Sequence, residues 1–169
     1  MISRRRSRPF FLSFLLIVFL FTLAAAREQG KDKPDLNKVP KQVMEALKTK
    51  FPKAEVDKWT REKEGDVFVH DFEFRQEGRK LEADIREDGI ILNWEGQVAV
   101  KDLPGAVLRA IEGKYPKAVI KEVMAVTDVQ EGKDLPEGYE VLFQMPDGKR
   151  VEVTVAPDGK FLEESGEDK

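Results

Sequence analysis

The sequence predicts an α+β fold made of two tandem repeats, each with one helix packed on a four-stranded antiparallel sheet. The first observation is a repeated plan: the segment at residues 39–54, VPKQVMEALKTKFPKA, is matched 64 residues later by LPGAVLRAIEGKYPKA at residues 103–118. The second is that four runs with the composition of β-strands follow each segment, separated by turn residues. Helices and strands segregated in this way along a chain are typical of the α+β class.

Each repeat begins with a predicted amphipathic helix. Val43, Leu47 and Phe51 follow one another at steps of four residues and form one apolar stripe on the first helix. The equivalent residues of the second helix are Val107, Ile111 and Tyr115. A proline lies before each stripe, where its missing N–H costs nothing, and another lies just after it, where the helix cannot continue.

The predicted strands alternate apolar and polar residues, most clearly at residues 81–85 and 151–155. This period of two is typical of a sheet with one face on the core and one face in water. Asp-Gly pairs at residues 88–89 and 158–159 predict two-residue hairpins. A unit of about 60 residues buries only about 60% of its unfolded surface, so we expect the two repeats to pack together.

The first 26 residues predict a signal peptide. Four arginines precede an apolar run of 14 residues, and three alanines end at Ala26, where we expect cleavage before Arg27. An uncleaved anchor is the alternative, and it would be the chain's one contact with a membrane. Residues 27–38 are polar and unpatterned, which predicts a flexible linker. The sequence thus predicts a periplasmic or secreted protein, exported by the general secretion route.

The charge of the predicted mature chain argues against nucleic acid as a partner. The four leader arginines leave with the signal peptide, so the net charge falls to about −7. Acidic and basic residues alternate along the chain, whereas nucleic-acid binders concentrate lysine and arginine on one face. The chain has no cysteine, so apolar burial without disulfides must hold the fold together.

The side chains that most enzymes use are scarce. Beyond residue 26 the chain has one serine, Ser165, and one histidine, His70. His70 lacks the further His or Cys ligands of a zinc site, and its alternation with Phe72 and Phe74 predicts a place at the edge of the core. The sequence predicts no catalytic residue, no metal ligand and no cofactor, and the protein is expected not to be an enzyme.

Apolar residues on the wet face of the sheet predict a protein-binding surface. If strand alternation is strict and the hairpins have two-residue loops, five apolar residues point away from the helices. They are Trp59, Val67, Val69, Ile91 and Phe161. A contiguous apolar patch of this kind marks a contact surface. Two alternatives remain: these residues pack the repeats against each other, or a bulge turns Trp59 inward.

The second repeat resembles the PepSY-like family of exported bacterial proteins in the segments LPGAVLRAIEGKYPKAVI, GYEVLF and DGKRVEVTVAPDGKFLEE. The first repeat is similar but more divergent. The resemblance divides the chain into repeats at residues 39–100 and 101–165. It implies an extracytoplasmic binding or inhibitory module and brings no catalytic residues. The tandem arrangement is also similar to that of beta-lactamase inhibitory protein, which binds an enzyme with the open face of its sheet.

These observations predict a non-enzymatic, exported module that binds an envelope or secreted protein through the open sheet face, with inhibition of that partner as one outcome. The alternative is a periplasmic protein that sequesters a small ligand or metal ion, because acidic residues are plentiful in the loops.

Overall fold

The fold is taken from a computed structural model, which describes residues 34–166. The predicted signal peptide, residues 1–26, and most of the predicted linker, residues 27–38, lie outside these residues. Between residues 34 and 166, no helix has the length and apolar character needed to cross a membrane.

The chain order is helix, four strands, helix, four strands, as the sequence predicts. A short 3-10 turn precedes each helix, at Leu36–Lys38 and at Val100–Asp102. The helices and strands are α1 Lys41–Lys50, β1 Glu55–Glu64, β2 Val67–Gln76, β3 Arg79–Arg86, β4 Ile91–Gln97, α2 Gly105–Lys114, β5 Val119–Gln130, β6 Lys133–Gln144, β7 Arg150–Val155 and β8 Phe161–Gly166.

Both helices use the apolar stripes that the sequence predicts. Val43 and Leu47 are fully buried on α1, and their counterparts on α2 are Val107 and Ile111. Each helix ends on an aromatic cap, Phe51 or Tyr115, and the proline that follows cannot extend it.

The eight strands form one continuous antiparallel sheet in the order of the sequence. This differs from the prediction of a separate four-stranded sheet in each repeat. The two groups of strands are joined because β4 pairs with β5, with Trp94 opposite Thr127 and Glu95 opposite Val126. The fold is therefore α+β with two helices on an open eight-stranded sheet.

Both helices pack on the same face of this sheet. Residues directly opposite each other on neighbouring strands share a face. Trp94 packs against the core under α1, so Thr127 opposite it lies on the helix side. Val123, four residues before Thr127 on β5, belongs to the core under α2. The other side of the sheet, which we call the open face, is covered by neither helix.

Each helix covers a core built around a buried phenylalanine. Phe74 lies 4.9 Å from Phe51, centroid to centroid, beneath α1. Phe143 lies 4.6 Å from Tyr115 beneath α2. Phe74 and Phe143 are both fully buried.

Replacing Phe74 or Phe143 with alanine should lower the free energy of unfolding by about 3–5 kcal/mol, because each ring leaves a cavity in a packed core. The β4–β5 ladder unites the two cores, so we expect each variant to unfold in a single transition. Fluorescence of Trp59 and Trp94, both in the first half of the chain, and far-UV circular dichroism should therefore give the same midpoint. Leu162→Ala is the control, since Leu162 is 37% exposed. A Phe143→Ala variant whose tryptophan midpoint stays at the wild-type value would contradict this account.

Candidate binding surface

The open face is crowded with carboxylates. It carries every second residue of each strand, and the strand register assigns acidic side chains to it from β1 through β8. These residues are Glu62, Glu64, Asp71, Glu73, Glu82, Asp84, Glu95, Glu122, Asp128, Glu140, Glu152 and Glu163. We call Glu82, Glu95, Glu140 and Glu152, on β3, β4, β6 and β7, the central acidic cluster.

The ladder places several of these acids directly opposite one another. Glu82 faces Glu73 on β2 and Glu95 on β4. Asp71 faces Asp84 in the same way. Directly opposite residues have Cβ atoms about 4.5–5.5 Å apart, and like charges at that spacing destabilise a sheet.

Two lysines offset part of this charge. The Lys80 ammonium lies 2.8 Å from a carboxylate oxygen of Glu82 and 3.0 Å from one of Glu122. Lys58 Nζ lies 2.8 Å from Glu73 Oε1. Within residues 34–166, Glu95 has neither an ion pair nor a hydrogen bond to its carboxylate. Glu95, the most buried of these acids, is thus left without a cation.

Buried apolar residues, which we call the apolar floor, lie among the carboxylates of the open face. Val126 is 1% exposed and Met124 is 3% exposed, although both point away from the helices. Val69 on β2 is buried to the same degree. Val126 is opposite Glu95 and Met124 is opposite Glu140, and Glu95 is itself only 8% exposed.

Burial and crowding together raise the pKa of the acids on this face. Burial raises the pKa of Glu140 to about 8, and the charges of Glu152 and Glu82 act in the same direction. Burial raises the pKa of Glu95 well above its usual range, and Glu140 and Glu82 add to that rise. A carboxyl in such surroundings holds its proton near neutral pH unless a cation approaches.

The pair formed by Asp71 and Asp84 behaves similarly. Burial, and next the charge of Asp84, raises the pKa of Asp71 to about 7. Burial raises the pKa of Asp84 to about 6, although Asn93 opposes this by donating a hydrogen bond of 3.0 Å to its carboxylate. The acidic character therefore extends from the central acidic cluster toward β2.

Two of the five apolar residues predicted to form the binding surface lie on the open face. Val67 and Val69 alternate along β2 on that side; Val67 is 41% exposed, and Val69 is buried. They lie beside acids rather than in an apolar patch. That Val67 and Val69 bind a partner stays a prediction.

Trp59 lies on the helix side, so the prediction that it points away from the helices is wrong. A register shift between Val56 and Lys58 breaks the alternation of β1 and brings Trp59 opposite Phe72. Its ring stacks on His70 at 5.9 Å and packs against the core under α1. The bulge that the sequence left as an alternative accounts for this orientation.

Ile91 and Phe161 also face the helices, contrary to prediction, and the hairpin loops explain both errors. Gly89 and Gly159 have positive φ, whereas the aspartate before each does not, so neither loop is the two-residue type that needs positive φ at both positions. Each loop has three residues and is followed by a register shift. Ile91 is therefore opposite Ile85, and Phe161 packs 6.0 Å from Tyr115. Leu162, the next residue, is exposed.

His70 is fully buried on the helix side, where its alternation with Phe72 and Phe74 predicts it. Burial lowers its pKa, and neither ring nitrogen has a hydrogen-bond partner among the described residues. Across residues 34–166, no three His, Cys, Asp or Glu side chains converge in an arrangement that could hold a metal ion.

The carboxylates of the open face were not predicted from the sequence, although the sequence contains part of the pattern. Glu82 and Asp84 alternate with the apolar residues of β3, and Glu152 alternates with those of β7. The acidic bias of the water-facing positions could have been found in this way. The burial of Glu95 could not, because it depends on Val126 of the next strand.

No family model matches the chain, and no curated protein matches it in sequence. Solved structures do. A BLIP-like protein from Bacteroides fragilis is 24% identical, with a TM-score of 0.53, and the match covers 76% of this chain and 86% of that one. A candidate periplasmic protein from Bacteroides eggerthii is 18% identical, with a TM-score of 0.59 and coverage of 76% and 88%. A DUF2874 family protein from Bacteroides uniformis is 18% identical, with a TM-score of 0.57 and coverage of 75% and 88%.

The likeness is one of fold. At these identities the shared arrangement of helices and sheet is what the comparison establishes, and it supports a BLIP-like fold for this chain. Membership of the PepSY-like family remains a prediction.

Replacing Glu140 with glutamine should stabilise the protein, and increasingly so as pH rises. The folded chain holds the Glu140 proton up to about pH 8, whereas an ordinary glutamate releases it near 4.5. Unfolding therefore releases a proton between these values, and wild-type stability falls across the window. We expect the variant to gain on the order of 2 kcal/mol at pH 8.5 and close to none at pH 4.

Urea denaturation at a series of pH values measures the difference in free energy of unfolding between wild type and variant. Groups that titrate in both proteins, such as His70, contribute equally to the two values and cancel in the difference. Glu112→Gln on the exposed side of α2 is the matched control and should change little at any pH. A Glu140→Gln variant that is less stable than wild type at pH 8.5 would show that the carboxylate is compensated.

Proposed function

We propose that this protein is an exported, non-enzymatic module that binds an envelope or secreted protein through the open face of its sheet, and that binding can inhibit that partner. One observation carries the proposal. Both helices pack on one side of a continuous sheet, and the described chain leaves the other side uncovered across eight strands.

Some acids of the open face work against the stability of the fold when they ionise. The two apolar cores lie on the helix side, whereas the open face holds acids whose pKa values are raised by burial and by one another. Titratable groups perturbed in this way cluster at functional sites. Local choices that work against folding are expected where a protein serves a function.

Export and protein binding have separate support. The predicted signal peptide at residues 1–26 favours export, and one protein of the same fold is described as a candidate periplasmic protein. Another is described as BLIP-like, which favours an inhibitor-like binding role. Both descriptions are of other proteins, and they add weight to the proposal by analogy of fold alone.

We also propose that the two halves, α1 with β1–β4 and α2 with β5–β8, arose by duplication of a PepSY-like repeat. Phe74 and Phe143 have the same role beneath the two helices, and each packs against the aromatic residue that ends its helix. The matched segments at residues 39–54 and 103–118 support the same origin.

Site-specific crosslinking tests the use of the open face. A photoreactive amino acid is introduced at Leu142 or Glu163, both partly exposed on the open face, in the protein expressed from its full sequence in cells. We expect a discrete crosslinked species of higher mass from these positions, because the partner covers them.

The matched controls carry the same photoreactive residue at Lys48 or Glu112, both exposed on the helices. They should give no such species. A crosslink obtained only from the helix positions, or equally from both sides, would refute the open face as the binding surface.

A further inference from the structure

We propose that the segment bound by the open face is a positively charged, extended stretch of protein, whose arginine or lysine side chains pair with the central acidic cluster. This inference rests on the proposed function, since it names the chemistry of the partner at the same surface. It follows from one buried carboxylate, from the strand register and from the spacing of the acids.

The carboxylate of Glu95 would be stabilised by a cation from a partner. It is 8% exposed, and it lies on the open face opposite Val126. No described residue forms an ion pair or hydrogen bond with its carboxylate. A buried ionised carboxylate without a partner is strongly unfavourable, and a cation delivered to it recovers much of that penalty.

The acidic neighbours of Glu95 also favour binding of a positively charged group. Glu82 lies directly opposite it, and its nearest base, Lys80, is already shared between Glu82 and Glu122. Glu140, two strands away on β6, is the charge that most strongly disfavours ionisation of Glu95. The neighbouring lysine therefore leaves Glu95 without a cation of its own.

The spacing of the acids selects a ligand with several charges rather than a single ion. Acids occupy the open face from Asp71 on β2 to Glu152 on β7, a distance of about 24 Å at roughly 4.8 Å per strand. Among residues 34–166 no three of them converge as a metal site requires. An extended peptide presents side chains to one face about every 6.5–7 Å, which lets several cations meet successive acids.

The apolar floor favours the same ligand. Val126, opposite Glu95, and Met124, opposite Glu140, are buried on this face, so charge pairs formed beside them are partly shielded from water. Arginine suits such a site, because its planar guanidinium pairs with carboxylates in a bidentate manner and is weakly hydrated. Its alkyl stem can also cover exposed apolar surface.

A defined peptide tests the proposal. The probe is a fluorescein-labelled decapeptide of alternating arginine and threonine. It is titrated at low salt with the purified protein, and binding is followed by fluorescence anisotropy. We expect saturable binding by wild type. Double replacement Glu95→Gln and Glu140→Gln should weaken it at least about tenfold, or about 1.4 kcal/mol.

The matched control is Glu45→Gln with Glu112→Gln, which makes the same two substitutions at exposed positions on the two helices. It should weaken binding less than about twofold. Glutamine is close to glutamate in size, and the Glu95→Gln and Glu140→Gln changes remove groups that are costly to ionise. That variant should therefore remain folded, which thermal unfolding checks. Absence of peptide binding by wild type, or an equal loss in the control, would overturn the proposal.

Two further arms separate this inference from its rivals. Titration of the protein with calcium chloride alone, followed by calorimetry, should give no saturable heat of binding. If wild type gives such heat and the Glu95→Gln and Glu140→Gln changes abolish it, the central acidic cluster binds a metal ion instead. Crosslinks from Leu142 should be lost in the same double variant. If they persist unchanged, the cationic partner is wrong while binding at the open face still stands.

Discussion

The pairing of β4 with β5 is the constraint on which the rest of the structure depends. The ladder between β4 and β5 joins the strands of both halves into one sheet. Within it, Trp94 is opposite Thr127, and both lie on the helix side. Because paired residues share a face, the helix of each half must then lie on the same side. The opposite side has no covering layer. In this the fold resembles other two-layer folds, in which one sheet face is buried and the other is left to solvent.

That second face does not look like ordinary solvated surface. Surface acids of a sheet usually alternate with bases and keep their usual pKa, whereas Glu95 and Glu140 are buried among other carboxylates and hold their protons to unusually high pH. The helix-side cores, each centred on a buried phenylalanine, provide the stability that tolerates this arrangement. Stability and recognition thus reside on opposite faces of one sheet, and a partner that supplies positive charge would benefit from both the acids and the apolar floor among them.

Much of the fold could be predicted from the sequence, because its signals are local. Proline-bounded helices and alternating strands depend on residues a few positions apart, and both appear where the patterns indicate. Side-chain facing was harder to predict. Trp59 and Phe161 were placed on the wrong side because one shifted residue in a strand or hairpin inverts every side chain after it. The join between β4 and β5, and the burial of Glu95 that follows from it, involve strands separated by a helix, and no local pattern encodes them.

The most direct test of this account is the titration of individual carboxyl groups in the free protein. Carbon NMR of the protein labelled at the glutamate side-chain carboxyl, with Glu95→Gln and Glu140→Gln used to assign the signals, gives the midpoint of each group. The account predicts that Glu140 titrates near pH 8 and that Glu95 titrates well above the ordinary value of 4.5. Midpoints near 4.5 for both would mean that the open face is hydrated and compensated like any other surface, and the central claim would be wrong.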